Sequence, residues 1–250
     1  MKWNWIFTLI VAVALVSCKK DKNTDENPTT GSVQIKLHHL WDTDSLLLDS
    51  LYVHPVTSDT LSFTTFKYYV SNIRLKKTDG TWYSVPESYH LIDLGNGSTN
   101  SLTISNVPTG NYSEISILFG VDSTRNVSGA QSGALSTIHG MFWSWNTGYI
   151  MLKAEGLSPN STSGSYAFHL GGFQGPNSVL KTKNFVLSTI ANSSVTGSNL
   201  SKIGIQINAS NMWNSSPNLA TVSDLQMAGA AANTMATDFV SGWTLSYVNN

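Results

Sequence analysis

Two groups of residues in this 250-residue chain have side chains that can do chemistry: six histidines, and one stretch crowded with aromatic and thioether groups. The histidines are His38, His39, His54, His90, His139 and His169. The stretch is Gly140–Gly156, G-M-F-W-S-W-N-T-G-Y-I-M-L-K-A-E-G, in which Met141, Trp143, Trp145 and Tyr149 fall close together. Imidazole is a ligand for copper, zinc, iron and nickel, and electron-rich indole and thioether groups are oxidisable. The same tryptophans also suit a core strand, where their area is buried, or an exposed aromatic platform for a sugar or a protein. Nothing else supplies a reaction centre. There is no G-x-S-x-G, no phosphate-binding G-x-x-x-x-G-K-S/T and no H-E-x-x-H. Asp42 and Asp44 lack the glycine and distal glutamate of a calcium loop and read as a solvated turn. With no nucleophile, acid–base pair or cofactor loop to place, the chain reads as a binding protein and not an enzyme.

Positioning these groups falls to strands. Val33, Ile35, Leu37, His39 and Trp41 alternate with Gln34, Lys36, His38 and Leu40, which sets His39 inward and His38 outward. A long strand spans Leu61–Leu75, and Thr78-Asp79-Gly80-Thr81 turns it into Trp82–Val85. Leu102 and Ile104 precede a Val107-Pro108-Thr109-Gly110 turn and a strand with Tyr112, Ile115, Ile117 and Phe119. Further strands are expected at Gly148–Ala154, Tyr166–Leu170, Val179–Ser188 and Ile203–Ala209. A helix is expected from the capping box Ser223-Asp224-Leu225-Gln226 onward, since Leu225, Ala228, Ala232, Met235 and Phe239 recur at helical spacing before a last strand, Gly242–Val248. The fold class is therefore all-β, an antiparallel β-sandwich of about 8–10 strands with one short helix near the C-terminus.

Composition bounds the setting. Only 12% of residues are charged and the formal net charge is −1, so there is no basic footprint for nucleic acid. Met1 and Lys2 lead into an apolar run, Trp3–Val16, too short for a comfortable membrane span, that ends in Leu15-Val16-Ser17-Cys18. This tetrapeptide resembles a bacterial lipobox, so residues 1–17 read as a lipoprotein signal peptide and Cys18 as a lipidated anchor. As the only cysteine, Cys18 excludes intrachain disulfides and thiolate clusters. Residues 18–31 are charged and almost free of apolar groups, a tether that holds one domain, residues 32–250, away from the membrane. The expected location is the cell envelope, on an outer membrane and facing the periplasm or the cell surface.

Four blocks taken in order carry a family resemblance: Lys67-Tyr68-Tyr69-Val70-Ser71-Asn72-Ile73-Arg74-Leu75, Gly120-Val121-Asp122, the Gly140–Gly156 stretch with its W-x-W-N-x-G-Y-x-x-x-K-x-E-G pattern, and Phe168-His169-Leu170-Gly171. Together they resemble the MbnP-like family of copper-binding proteins, in its Bacteroidetes-type lipoprotein form, over Val33 to Val248. The resemblance implies a copper site made by two imidazoles and a tryptophan oxidised to kynurenine by a dihaem peroxidase-like partner. Carried onto this chain, it points to His39 and His169 as ligands and to Trp143 as the modified residue. Trp145, Met141 and His139 would line the site. The chain departs from the family in having Trp145 two residues after Trp143, where some members have a histidine. His54 and His90 read as structural.

Overall fold

β1 (Thr30–Trp41) starts where the sequence leaves its polar tether, and its inward positions Val33, Ile35, Leu37, His39 and Trp41 are all buried. A tight turn at Asp42 and Thr43, with Asp42 at φ 55°, folds the chain back onto β2 (Asp44–Ser45). Asp42 and Asp44 are exposed, as expected for a solvated turn. This structure is a computed structural model, and it describes Met1 and residues 29–129, 131–143 and 148–250. The expected leader, the Cys18 anchor, most of the tether and Trp145 lie outside the described residues.

β3 (Tyr52–Val53) pairs with the start of β4 (Thr60–Lys77), which is the spine of the larger sheet. The turn out of β4 closes with Gly80 N–H donating to the Lys77 carbonyl at 2.9 Å, and only Gly80 takes positive φ, at 92°. Asp79 instead accepts from the Thr81 amide and hydroxyl, a side-chain-locked turn leading into β5 (Trp82–Ser84). β6 (Tyr89–Asp93), β7 (Ser101–Pro108) and β8 (Gly110–Phe119) follow. The turn at Thr109 does not make a hairpin. β7 pairs with β1 in the smaller sheet while β8 joins β4 in the larger one, so the chain changes layers there.

One edge of β4 is shared end to end. β9 (Ile150–Leu157) takes Ser62–Tyr68 and β8 takes Val70–Lys77, so the chain leaves and rejoins the same edge around residues 121–149. β10 (Ser165–Gly171) extends the sheet beyond β9, and β11 (Lys181–Val186) and β12 (Ser193–Val195) extend it beyond β8. β13 (Leu200–Asn208) returns to β1, and β15 (Trp243–Asn249) closes the smaller sheet against it.

The two sheets make an all-β sandwich, with three corrections to the sequence-based picture. Ten strands of five or more residues are described, but β1 and β13 run parallel over nine paired positions, so the sandwich is mixed and not wholly antiparallel. The second correction is an added single helical turn, α1 (Ser123–Asn126). The third is the late helix: α2 spans Ala230–Ser241, after Gly229 at φ 154°. The expected capping box caps nothing, because Asp224 and Leu225 form β14 (Asp224–Leu225) on the free edge of β10. Edge pairing there satisfies backbone groups that a first helical turn would leave open.

The core between the sheets is aromatic. Phe239 of α2 meets Phe66, Tyr68, Phe119 and Trp243 with ring centroids 5.3–5.8 Å apart. A second cluster gathers Trp41, Phe63, Phe168 and Trp213. Among the described residues, no helix is long and apolar enough to cross a membrane.

Candidate functional site

The strand register decides which histidines can meet. Lys67 is paired across β4 with Asp93 on one side and Lys153 on the other, and Lys153 is paired with His169. Directly paired residues share a face, and neighbours along a strand take opposite faces. His169 therefore lies on the face of Lys67 and Lys153, while Tyr68 points to the other face, into the core. His39 comes from the opposite sheet and meets Tyr68 there, with Nε2 and the hydroxyl 2.9 Å apart.

The two imidazoles taken from the sequence as a ligand pair thus stand on opposite faces of the larger sheet. They do not converge, and the two-histidine donor set does not fit a single metal. The reason is one residue of parity: β10 turns Tyr166, Phe168 and Leu170 inward, which leaves His169 facing out. No group of three or more His, Cys, Asp or Glu side chains that could hold a metal is found among the described residues.

His39 is a satisfied core histidine. It is 6% exposed, and burial together with the nearby His38 pushes its pKa down from 6.5 to about 4, so the ring is neutral at physiological pH. Burial also raises the Tyr68 phenol, which stays protonated. The sequence required a partner for an inward imidazole, and a phenol from the facing sheet supplies it.

His169 sits in a charged row. Its Nε2 lies 2.7 Å from Glu155 Oε1, and Lys153 Nζ lies 3.4 Å from the same oxygen. Further along, Lys67 and Asp93 pair at 2.9 Å. Burial alone would raise the Glu155 carboxyl, but the hydrogen bond with His169 and the Lys153 charge outweigh it and hold Glu155 below its ordinary value. Lys153 and Glu155 are fixed positions of the W-x-W-N-x-G-Y-x-x-x-K-x-E-G pattern, but no site role was assigned to them from the sequence. Their signal was present in the Lys153-Ala154-Glu155 alternation, two charges at period two within an apolar strand.

Residues 121–129 and 131–143 roof part of this face. Asp122 accepts from Asn72 Nδ2 at 2.6 Å and from the Tyr89 hydroxyl at 2.8 Å, and it caps α1. These bonds, opposed by burial, hold its carboxyl below the ordinary value. Arg125 pairs with Glu87 and lies over the Tyr89 ring. Asn126 donates to the Val121 carbonyl and accepts from the Tyr149 amide at 2.9 Å, tying the helical turn to the hairpin of residues 141–143 and 148–150. Tyr69 donates to the Ala134 carbonyl at 3.1 Å, pinning the roof to the sheet.

Met141, Trp143 and Tyr149 are buried, which rules out an exposed aromatic platform at these three positions. Trp143 lies on Gly171, two residues along β10 from His169, and a Cβ at 171 would come within 2.2 Å of its ring. His139 is half-buried, and its Nε2 lies 3.0 Å from the Gly133 carbonyl. His54 is fully engaged, with Nε2 2.7 Å from the Ser210 carbonyl and Nδ1 accepting from the Thr57 amide at 3.0 Å. His90 is half-buried, and burial lowers its pKa.

Comparison with known proteins adds three findings. The MbnP family model matches residues 30–235. Among solved structures, the chain is similar to MbnP from Methylosinus trichosporium at 13% identity and a TM-score of 0.51, covering 81% of this chain and 83% of that one. At that identity the likeness shows a shared fold. The sequence has no match among curated proteins.

Proposed function

The chain belongs to the MbnP family, and from that premise we propose that it is a copper-handling protein of the cell envelope, anchored through a lipidated Cys18, that captures and releases copper without catalysing a reaction. The observation that carries the site is the His169–Glu155 pair, an imidazole nitrogen and a carboxylate oxygen 2.7 Å apart, two residues along β10 from Gly171, on which the Trp143 indole is seated. Nitrogen and oxygen donors suit divalent copper. His169 and Glu155 would hold the metal in this reading, the carboxylate being the one that pairs with the Lys153 ammonium. His39 takes no part, because its imidazole is committed to Tyr68 in the core. Trp143 is the residue that a dihaem peroxidase-like partner converts to kynurenine, as the family resemblance implies. A kynurenine amine there would supply a further nitrogen donor.

The test is a competition titration of metal-free protein against a copper chelator. Wild type is expected to take copper in stoichiometric amount, His169→Ala to lose it, and His39→Gln to keep it. Equal binding by wild type and His169→Ala removes the site. Intact mass of protein isolated from its native host, set against recombinant protein, reports whether a tryptophan has become kynurenine.

A second reading, a β-sandwich that serves as a metal-free binding or structural module, is favoured by one observation: Nε2 of both His39 and His169 already has a protein partner. Failure of the wild type to compete for copper selects it.

A further inference from the structure

We propose that the outer face of the smaller sheet carries a saccharide-binding groove built on Tyr247, separate from the His169 face and independent of copper. Parity again sorts the residues. With Ile35, Leu37 and His39 inward, β1 turns Lys36 and His38 outward. Their cross-strand partners on β13, Gly204 and Gln206, lie on the same face. Gly204 is paired in turn with Tyr247 and Gln206 with Thr244 on β15. Two adjacent rows result, Lys36–Gly204–Tyr247 and His38–Gln206–Thr244.

Tyr247 is laid flat on its partner. A Cβ built on Gly204 would lie 2.2, 2.4 and 2.7 Å from Cε1, Cδ1 and Cζ of the ring, so one ring face covers bare backbone. Only glycine permits that approach. The β-bulge between Gly204 and Ile205 breaks the ladder at this point and adds Ser246 to β15 as an unpaired, exposed residue. The Tyr247 ring remains half-exposed, with the exposed His38 edge-on at 5.9 Å and 60°.

A groove of about 490 Å³ runs beside it, lined by Tyr247, His38, Gln206 and Ser246 of this face and reaching inward to Leu37 and His39. Its lining holds no carboxylate, lysine or arginine. A site of this kind selects a neutral ligand. The flat ring offers a π-face for an apolar C–H surface, while the amide, imidazole and hydroxyl offer directional donors and acceptors. A pyranose has both features, one face of axial C–H bonds and a rim of hydroxyls. An open groove along a sheet also lets a linked sugar extend beyond the stacked one.

The experiment uses metal-free protein in chelator, with saturation-transfer NMR against methyl β-glucoside, methyl β-galactoside, N-acetylglucosamine and cellobiose. At least one sugar is expected to receive saturation at its ring C–H protons. Tyr247→Phe keeps the stacking and stays close to wild type, whereas Gln206→Ala weakens binding by roughly tenfold through a lost directional bond. Gln206 and His38 face outward, so Gln206→Ala and His38→Ala leave the core intact and serve if Tyr247→Ala fails to fold. No transfer to any of the four sugars overturns the proposal, as does transfer unchanged in Gln206→Ala, His38→Ala and Tyr247→Ala together. A copper-null result leaves the proposal standing, and a sugar-null result leaves the copper reading standing.

Discussion

Trp143 and Gly171 are fitted to one another: the indole Cη2 and Cζ3 stand where a side chain at 171 would begin, 2.2 and 2.3 Å from an ideal Cβ. The contact joins residue 143 to the last residue of β10, two positions beyond the outward-facing His169. A substitution at a glycine 28 positions away in sequence therefore moves the tryptophan.

Gly171→Ala forces that movement. Gly171 is not in the positive-φ region, so the penalty is steric and falls on the indole. Overpacking of this kind costs about 1–3 kcal/mol. The expected result is a lower denaturation midpoint and altered acrylamide quenching of one tryptophan. Unchanged quenching together with unchanged stability refutes the contact.

His39 makes stability depend on pH in a defined window. Its folded pKa, about 4, lies below the ordinary 6.5, so between those values the unfolded chain binds a proton that the folded chain refuses. Stability therefore rises with pH from about 4 to 6.5 and is fully present above that range, with a total change of about 3 kcal/mol. Urea melts from pH 7 to pH 4.5 should show a steeper loss for wild type than for His39→Gln, which cannot take up that proton. Parallel curves would mean that the imidazole is not buried neutral.

Glu155 acts in a lower window. Its carboxyl is held below the ordinary 4.5, so its contribution is present above that value and disappears as pH falls through the depressed one. Because Glu155 and Lys153 are 31% and 21% exposed, solvent screens the row, and Glu155→Gln should cost less than about 1 kcal/mol. The loss should shrink in high salt. A large, salt-independent loss would assign Glu155 a packing role.

Asn126→Ala tests the roof. It removes the acceptor for the buried Tyr149 amide and the donor to the Val121 carbonyl, leaving both unsatisfied, at about 1–3 kcal/mol. Amides of residues 121–143 should exchange hydrogen faster while those of β1 and β13 stay protected. Uniform loss of protection across the molecule would show that the segment unfolds with the core and not ahead of it.

Much of the architecture was legible along the chain. The inward set of β1, the long strand at 61–75, the turn at Gly80 and the closing strand all follow from local period and turn chemistry, which are properties of neighbouring residues. The late helix was misread at its start because Leu225 carries both helical spacing and strand pairing, and the open edge of β10, a distant element, chose between them. The parallel pairing of β1 with β13 was equally out of reach, since period two fixes which side chains share a face and is silent on strand direction.

At the site the division is sharper. Local sequence placed His39 inward, demanded a partner for it and grouped Trp143 with Met141 and Tyr149. The tertiary structure supplied Tyr68 as that partner, turned His169 outward to Glu155 and set Trp143 on Gly171. Side-chain parity is settled within each strand, but which faces oppose one another is settled by how two sheets stack, and that depends on burying apolar area across the whole molecule. Two rings with matching chemistry can therefore be far apart in the fold even when each stands on the strand that its own neighbours predict.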